Sequence, residues 1–289
     1  AARLRAQGVD GRAALPVTPL RRQLERMDLR NHRKLAVIDA RAALTGSQNI
    51  VNADYGQTRV GAWRDMTVLV RGPVIAQLQA IFRADWHFET GEVIGQEEID
   101  EDWTPRGEIA VQAAPSGPTY GTDAAHRLIV AAVQEANERL IITSPYFVPD
   151  EAFILAIELA VLRGVQVDLV VPERANHPLV QAAGRAFYGT ILEAGARIHL
   201  HQTGLLHAKT LSVDDAFALV GSANFDIRSF FLNFELNLLL YGRQAAEALR
   251  KRQMEYIAES RLLSKDVWLK RPGWRRTADD LAKLCSPLL

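Results

Sequence analysis

The chain has 289 residues, with 34 Lys plus Arg against 34 Asp plus Glu, so its formal net charge is zero. That length suits about two domains, and the missing basic excess argues against bulk nucleic-acid binding. A lone cysteine, Cys285, excludes an internal disulfide, and no run of about 18 apolar residues is present to span a bilayer.

Ala1 to Gly8 reads as the end of a helix stopped by its glycine. His32 to Ile38 predicts a strand, with a partner near Ala42 to Leu44 and a third strand from Met66 to Val70. Pro73 opens a helix that carries Val74, Ile75, Leu78, Ile81, Phe82 and Trp86 on one face. Glu92 to Gly121, acidic and then rich in Pro and Gly, reads as a connector with one strand near Ile109 to Gln112. After the cap Thr122-Asp123 comes a helix, then a strand at Leu140 to Thr143. A helix follows from Asp150 to Gly164, a strand from Val165 to Val171, a helix ending at Gly195, and a strand from Ala196 to Leu200. His207 to Val213 predicts a further strand, turning at Asp214-Asp215 into Ala216 to Val220. Phe234 to Tyr241 predicts the last. Strands alternating with helices imply α/β architecture with mixed, mostly parallel sheets covered by helices.

One pattern occurs twice. His32, Lys34, Asp39, Gly46, Ser47 and Asn49 recur as His207, Lys209, Asp214, Gly221, Ser222 and Asn224, all at an offset of 175 residues. A fixed offset over six such positions marks an internal repeat. The expected organisation is two pseudo-symmetric lobes, residues 1–112 with the connector and residues 113–289 with a C-terminal helix. The site lies where they meet. Matching Gly8 to Gly195 leaves two strands and two helices of the second copy without a counterpart. Roughly 70 residues of the first lobe are therefore expected to be absent.

In a strand, positions i and i+2 share a face, so each histidine sits beside its lysine. Two imidazoles and two ammonium groups around one centre suit a phosphodiester, whose transition state spreads negative charge over oxygens. One histidine can attack phosphorus while the other moves protons. Asn49, Asn224, Ser47 and Ser222 supply neutral donors. Each imidazole needs a partner on its second nitrogen, and Asp65 and Glu235 are the candidates by position after each motif. Asp39 and Asp214, out of phase with the histidines, are expected to hold the motif by hydrogen bonds, with the other lobe as one destination. Lysine inside the motif speaks against a metal site, and no cofactor is expected. His87, His126, His177, His199 and His201 lack this context and read as surface or core histidines.

The paired His-x-Lys-x4-Asp motifs, each followed by Gly-Ser-x-Asn, resemble the phospholipase D superfamily. Arg30-Asn31-His32-Arg33-Lys34, Thr143 to Pro149, Gly204 to Lys209, Asp226-Ile227-Arg228-Ser229, Asn233-Phe234-Glu235 and the ending Ser286-Pro287-Leu288-Leu289 are similar to bacterial cardiolipin synthases. The resemblance implies transfer of a phosphatidyl group from one phosphatidylglycerol to another, with His32 as nucleophile and His207 as acid and base. It also implies a place at the bacterial inner membrane, the lobes on the cytoplasmic side, with no nucleic-acid partner and the family's membrane anchor missing from this chain. Protein partners are not implied. A phospholipase D-type hydrolase or a nuclease would share the chemistry; an inactive lipid-binding fragment is the alternative of another class. Trp268, Trp274 and Leu281 among Lys270, Arg271, Arg275, Arg276 and Lys283 suit an anionic interface, or a helix packed on the second lobe.

Overall fold

The structure, a computed structural model, describes residues 6–12, 14–15, 29–50, 61–95, 104–120 and 123–286. Thr122, half of the expected cap, lies outside the described residues, as do residues 1–5 of the expected helix end and 96–103 of the connector.

In the first lobe, β1 (Leu35–Ile38), β2 (Ala42–Gly46) and β4 (Thr67–Arg71) form an antiparallel sheet in that order, and β3 (Trp63–Arg64) lies outside it. The helix Val74–Thr90 follows Pro73 and ends where Gly91 adopts the left-handed conformation. Its buried residues Val74, Ile75, Leu78 and Ile81 pack with Ala43 and Val70, and with Leu236 and Leu238 of the second lobe. Phe82, expected on this face, is 43% exposed.

The second lobe is built on eight strands. Its sheet contains β5 (Ala110–Ser116), β6 (Arg139–Thr143), β8 (Gln166–Pro172), β9 (Arg197–His201), β11 (Lys209–Val213), β12 (Phe217–Gly221), β14 (Glu235–Tyr241) and β15 (Ser260–Leu262), in the order β15-β9-β8-β6-β11-β12-β14-β5. Short strands β7 (Phe147–Val148), β10 (Leu205–Leu206) and β13 (Phe225–Asp226) pair outside it, β7 with β13 and β10 with β3.

The sheet is mixed, but it is not mostly parallel. Among the described residues β6–β8 and β8–β9 pair parallel, and the remaining neighbours pair antiparallel. Only the helices Glu151–Leu162 and Pro178–Ala194 make the long crossovers that parallel neighbours require. The limit expected at residue 112 also falls inside β5. That strand pairs with β14 along its whole length, Ala110 with Tyr241 through Ser116 with Glu235, so residues 110–112 sit with the large sheet.

Strand alternation decides what covers each face. Leu140 and Ile142 point into a core with Ile129, Val133, Phe153, Ile157, Phe187 and Ile191 of the helices Ala124–Gln134, Glu151–Leu162 and Pro178–Ala194. Ile141 points the other way, towards Leu206, Ala208 and Tyr256. Ala218 and Val220 meet Ala245 and Leu249 of the helix Arg243–Ala258, with Met66 and Val68 of the first lobe packed against them. One face of the sheet is thus covered by the first three of these helices. The other receives the helix Arg243–Ala258 together with the first lobe, which brings the two motifs together.

Candidate active site

The two motifs meet by exchanging partners. His32 Nδ1 lies 3.0 Å from Glu235 Oε1 of the second lobe, and His207 Nδ1 lies 2.6 Å from Asp65 Oδ1 of the first. The backbone is exchanged in the same way. The His207 amide donates to the carbonyl of Arg64 at 2.9 Å, and the His32 amide to that of Phe234 at 2.9 Å. In each case the residue before the carboxylate holds the histidine backbone and the carboxylate holds its ring. The sequence offered both carboxylates without saying which histidine each serves.

The serines orient the carboxylates. Ser47 Oγ donates to Asp65 Oδ1 at 2.7 Å and accepts from the Met66 amide at 2.9 Å. Ser222 Oγ donates to Glu235 Oε2 at 2.6 Å and accepts from the Leu236 amide at 2.9 Å. Their own amides donate back to Met66 and Leu236 carbonyls, closing the same loop in both lobes. A carboxylate fixed this way accepts a hydrogen bond from Nδ1–H, which leaves the lone pair on Nε2. Each lysine bonds the carbonyl of its own histidine, Lys34 Nζ at 2.5 Å and Lys209 Nζ at 2.6 Å.

The segment carrying Asp65 needs a close approach to reach His207. β3 pairs parallel with β10, and the Leu205 amide donates to the carbonyl of Ala62 at 3.0 Å. Gly204 permits this: its φ is +74, and a Cβ there would sit 2.2 Å from the Ala62 oxygen.

The two halves differ electrically. The His32 side chain is 38% exposed and that of His207 is 9% exposed. Burial, reinforced by Lys209 and Lys34, pushes His207 down to about 4 against the opposing pull of Asp65, so its ring is neutral at pH 7. Burial and the neighbouring Lys34 charge bring Lys209 down to about 7, and burial lowers Lys34. Burial works to raise Asp65, but its bonds from His207 and Ser47 and the Lys209 charge win and hold it low. Two ammonium groups in one buried place are costly when empty. An anion there stabilises both.

The other expected residues divide. Asn224 is buried beside Ser222, and its Oδ1 has no hydrogen-bond partner. Asn49 is half-buried, in a pocket of about 290 Å³ that Lys34 also lines. Asp214 lies away from the rings at the other end of β11. Its carboxylate accepts the amides of Asn137, Glu138 and Arg139 at 2.9, 2.9 and 2.7 Å, so it anchors its own lobe and does not reach across. Asp39 occupies the β1–β2 turn with φ +50, lining a separate cavity of about 1130 Å³ between the lobes that contains neither histidine. Of the remaining histidines, His126 bonds Asp150, His199 bonds the buried Asp168, and His201 bonds backbone oxygens.

Three further residues shape the site. Arg33 occupies the variable position of the first motif, where the second has Ala208. Its guanidinium pairs with Asp85 of the helix Val74–Thr90 and donates to the carbonyls of Glu235 at 3.0 Å and Ser116 at 2.7 Å. It therefore ties the first motif to both lobes. Trp63 packs its ring 4.6 Å from that of His207. Asp226, buried behind the site, is raised to about 6 by burial and by the Glu235 charge. Trp63 lies two residues before Asp65, the one signal that could have drawn attention to it; Arg33 and Asp226 lie in strings that carry the family resemblance, which gives neither a role of its own.

A family model described as "Cardiolipin synthase, PLD-like domain" matches residues 129–256. "Cardiolipin synthase A" of Klebsiella pneumoniae subsp. pneumoniae is 40% identical over 294 residues, covering 100% of this chain. The protein of that name from Serratia proteamaculans is 39% identical over 99% of it. The chain spans 60% of the length of both relatives. The fold is similar to that of a phosphatidylserine synthase from Haemophilus influenzae Rd KW20, with a TM-score of 0.63 and 16% identity, over 90% of this chain and 69% of that one. With its doubled motif, the chain is similar along its whole length to these cardiolipin synthases, and its residues 129–256 match their PLD-like domain.

Proposed function

We propose that this chain carries the phosphatidyl-transfer centre of a cardiolipin synthase. The observation that supports it most is the pair of imidazoles, each aimed by a carboxylate of the opposite lobe, beside the buried Lys209 and the half-buried Lys34. His32 Nε2 attacks the phosphorus of one phosphatidylglycerol, and the phosphorus–oxygen bond to glycerol breaks. The leaving alkoxide takes a proton from Nε2 of His207, for which the ring, neutral in the empty site, must first be protonated from solvent. The terminal hydroxyl of a second phosphatidylglycerol then gives its proton to His207 and attacks the phosphohistidine. That step releases His32 and forms cardiolipin. Lys34, Lys209 and Asn224 face the charge that develops on the phosphoryl oxygens. Asp214 holds its strand by three amides and Asp39 sits in the β1–β2 turn, and neither takes part in the bond changes.

A second reading exchanges the histidines. His207 is held neutral by burial, and the neutral ring is the form that attacks. Trapping the phosphoenzyme with substrate and mapping the modified histidine by mass decides between them.

The reading brings phosphatidylglycerol as partner and the cytoplasmic face of a bacterial inner membrane as the place of action. Among the described residues no helix is long and apolar enough to cross a membrane. Phosphatidylglycerol supplied to the enzyme should yield cardiolipin and free glycerol, and both should vanish in His32→Ala and His207→Ala. Phosphatidic acid in place of cardiolipin would mark a hydrolase. Cardiolipin formation surviving both substitutions would remove this site from the reaction.

A further inference from the structure

A surface helix ordinarily turns its apolar stripe to the core. The helix Gly273–Lys283 does the reverse. Its inward positions are Asp279 and Ala282, 3% and 6% exposed. Asp279 is gripped by Arg185 of the helix Pro178–Ala194 at 2.9 Å and by Arg271 at 2.8 Å, an anchoring made by charge. Trp274, Ala278 and Leu281, spaced to share one face, point to solvent, with Trp274 68% and Leu281 59% exposed. Leu284 just beyond is 76% exposed, and Val267 of the preceding helix Lys265–Leu269 is 69% exposed.

The charge around this stripe selects its partner. Lys270, Arg275, Arg276 and Lys283 are exposed, and Arg275 lies 5.2 Å from the Trp274 ring centroid. An indole beside guanidinium groups, above leucines free of core contacts, fits the boundary between lipid headgroups and acyl chains. A second copy of this chain would bring the same cations against themselves.

We propose that the outer face of the helix Gly273–Lys283 seats the protein on an anionic bilayer, with Trp274, Leu281 and Leu284 entering the lipid and Lys270 and Arg275 meeting its headgroups. The inference shares its lipid setting with the proposed function. Its test therefore measures binding without turnover.

The chain is floated with vesicles of phosphatidylcholine alone and of phosphatidylcholine mixed with phosphatidylserine, an anionic lipid without a glycerol headgroup. Binding is expected to the anionic vesicles and to weaken as salt is added. Trp274→Ala with Leu281→Ala should lower it by about tenfold without moving the thermal midpoint, because both side chains are exposed. Lys270→Glu with Arg275→Glu should abolish the preference for anionic lipid. In the parent, indole emission should shift to the blue on vesicle addition, and Trp274→Phe should lose that component. His32→Ala with His207→Ala should bind like the parent; this separates failure of the catalytic reading from failure of this one. Unchanged vesicle binding by the Trp274/Leu281 variant would overturn the proposal. So would a parent that self-associates through these residues in sedimentation and ignores the vesicles.

Discussion

Asp65 touches no substrate in the mechanism, yet it sets the ring of a histidine 142 positions away. Asp65→Asn keeps the shape, removes the charge and turns the tautomer of His207, so kcat should fall by about 100- to 10,000-fold with little change in KM. Steady-state kinetics checks this, and a loss below about tenfold would make the pair structural. Lys209 gives a second test. It is held near 7 when the site is empty; an anion restores its charge, and the proton must come from solvent. Sulfate, which does not titrate in this range, should bind with proton uptake near pH 8 and with none near pH 6, where the lysine is already charged. Calorimetry in two buffers of different ionisation enthalpy reads that proton. The His-x-Lys spacing was legible in the sequence because it is local and strand-periodic. The crossing of Asp65 and Glu235 was not, because it depends on how two sheets dock.

The elements around the motif divide into those that aim chemistry and those that hold strands. Asp214 closes β11 by accepting three consecutive amides at the start of β6, so the motif aspartate acts as a clamp between neighbouring strands. Asp214→Ala leaves those amides unpaired, at a cost of about 1–3 kcal/mol. The thermal midpoint should drop by several degrees while the enzyme that stays folded retains its KM. A loss of turnover with no loss of stability would place Asp214 in the reaction instead. Strand existence was readable from apolar runs such as Leu140–Thr143 and Val165–Val171. Pairing sense was readable where a short turn dictates it, as at Asp214-Asp215 between β11 and β12, and not for β11 with β6 or β14 with β5, because periodicity is the same whichever way such neighbours run. The C-terminal helix stayed open between two readings for a related reason: an apolar stripe in sequence does not say which side of the helix is wet, and the Asp279 anchor only emerges once Arg185 and Arg271 are nearby.

At the scale of the molecule, the lobes share more than a site. Leu236 and Leu238 of β14 complete the first-lobe core, Arg33 bridges to the carbonyls of Glu235 and Ser116, and backbone bonds cross at both motifs. Calorimetric unfolding should therefore be one transition, with loss of near-ultraviolet signal and of sulfate binding at the same temperature. Two resolved transitions would show the lobes to be independent. The exchange of carboxylates also bears on descent. A duplicated gene usually leaves one copy free to drift while its sibling does the work. Here each repeat carries the carboxylate that bonds its sibling's histidine, so loss of either carboxylate leaves a ring of the other repeat without its partner. Each half of the duplication therefore carries part of its sibling's histidine environment, and a change to either carboxylate is felt in the opposite repeat.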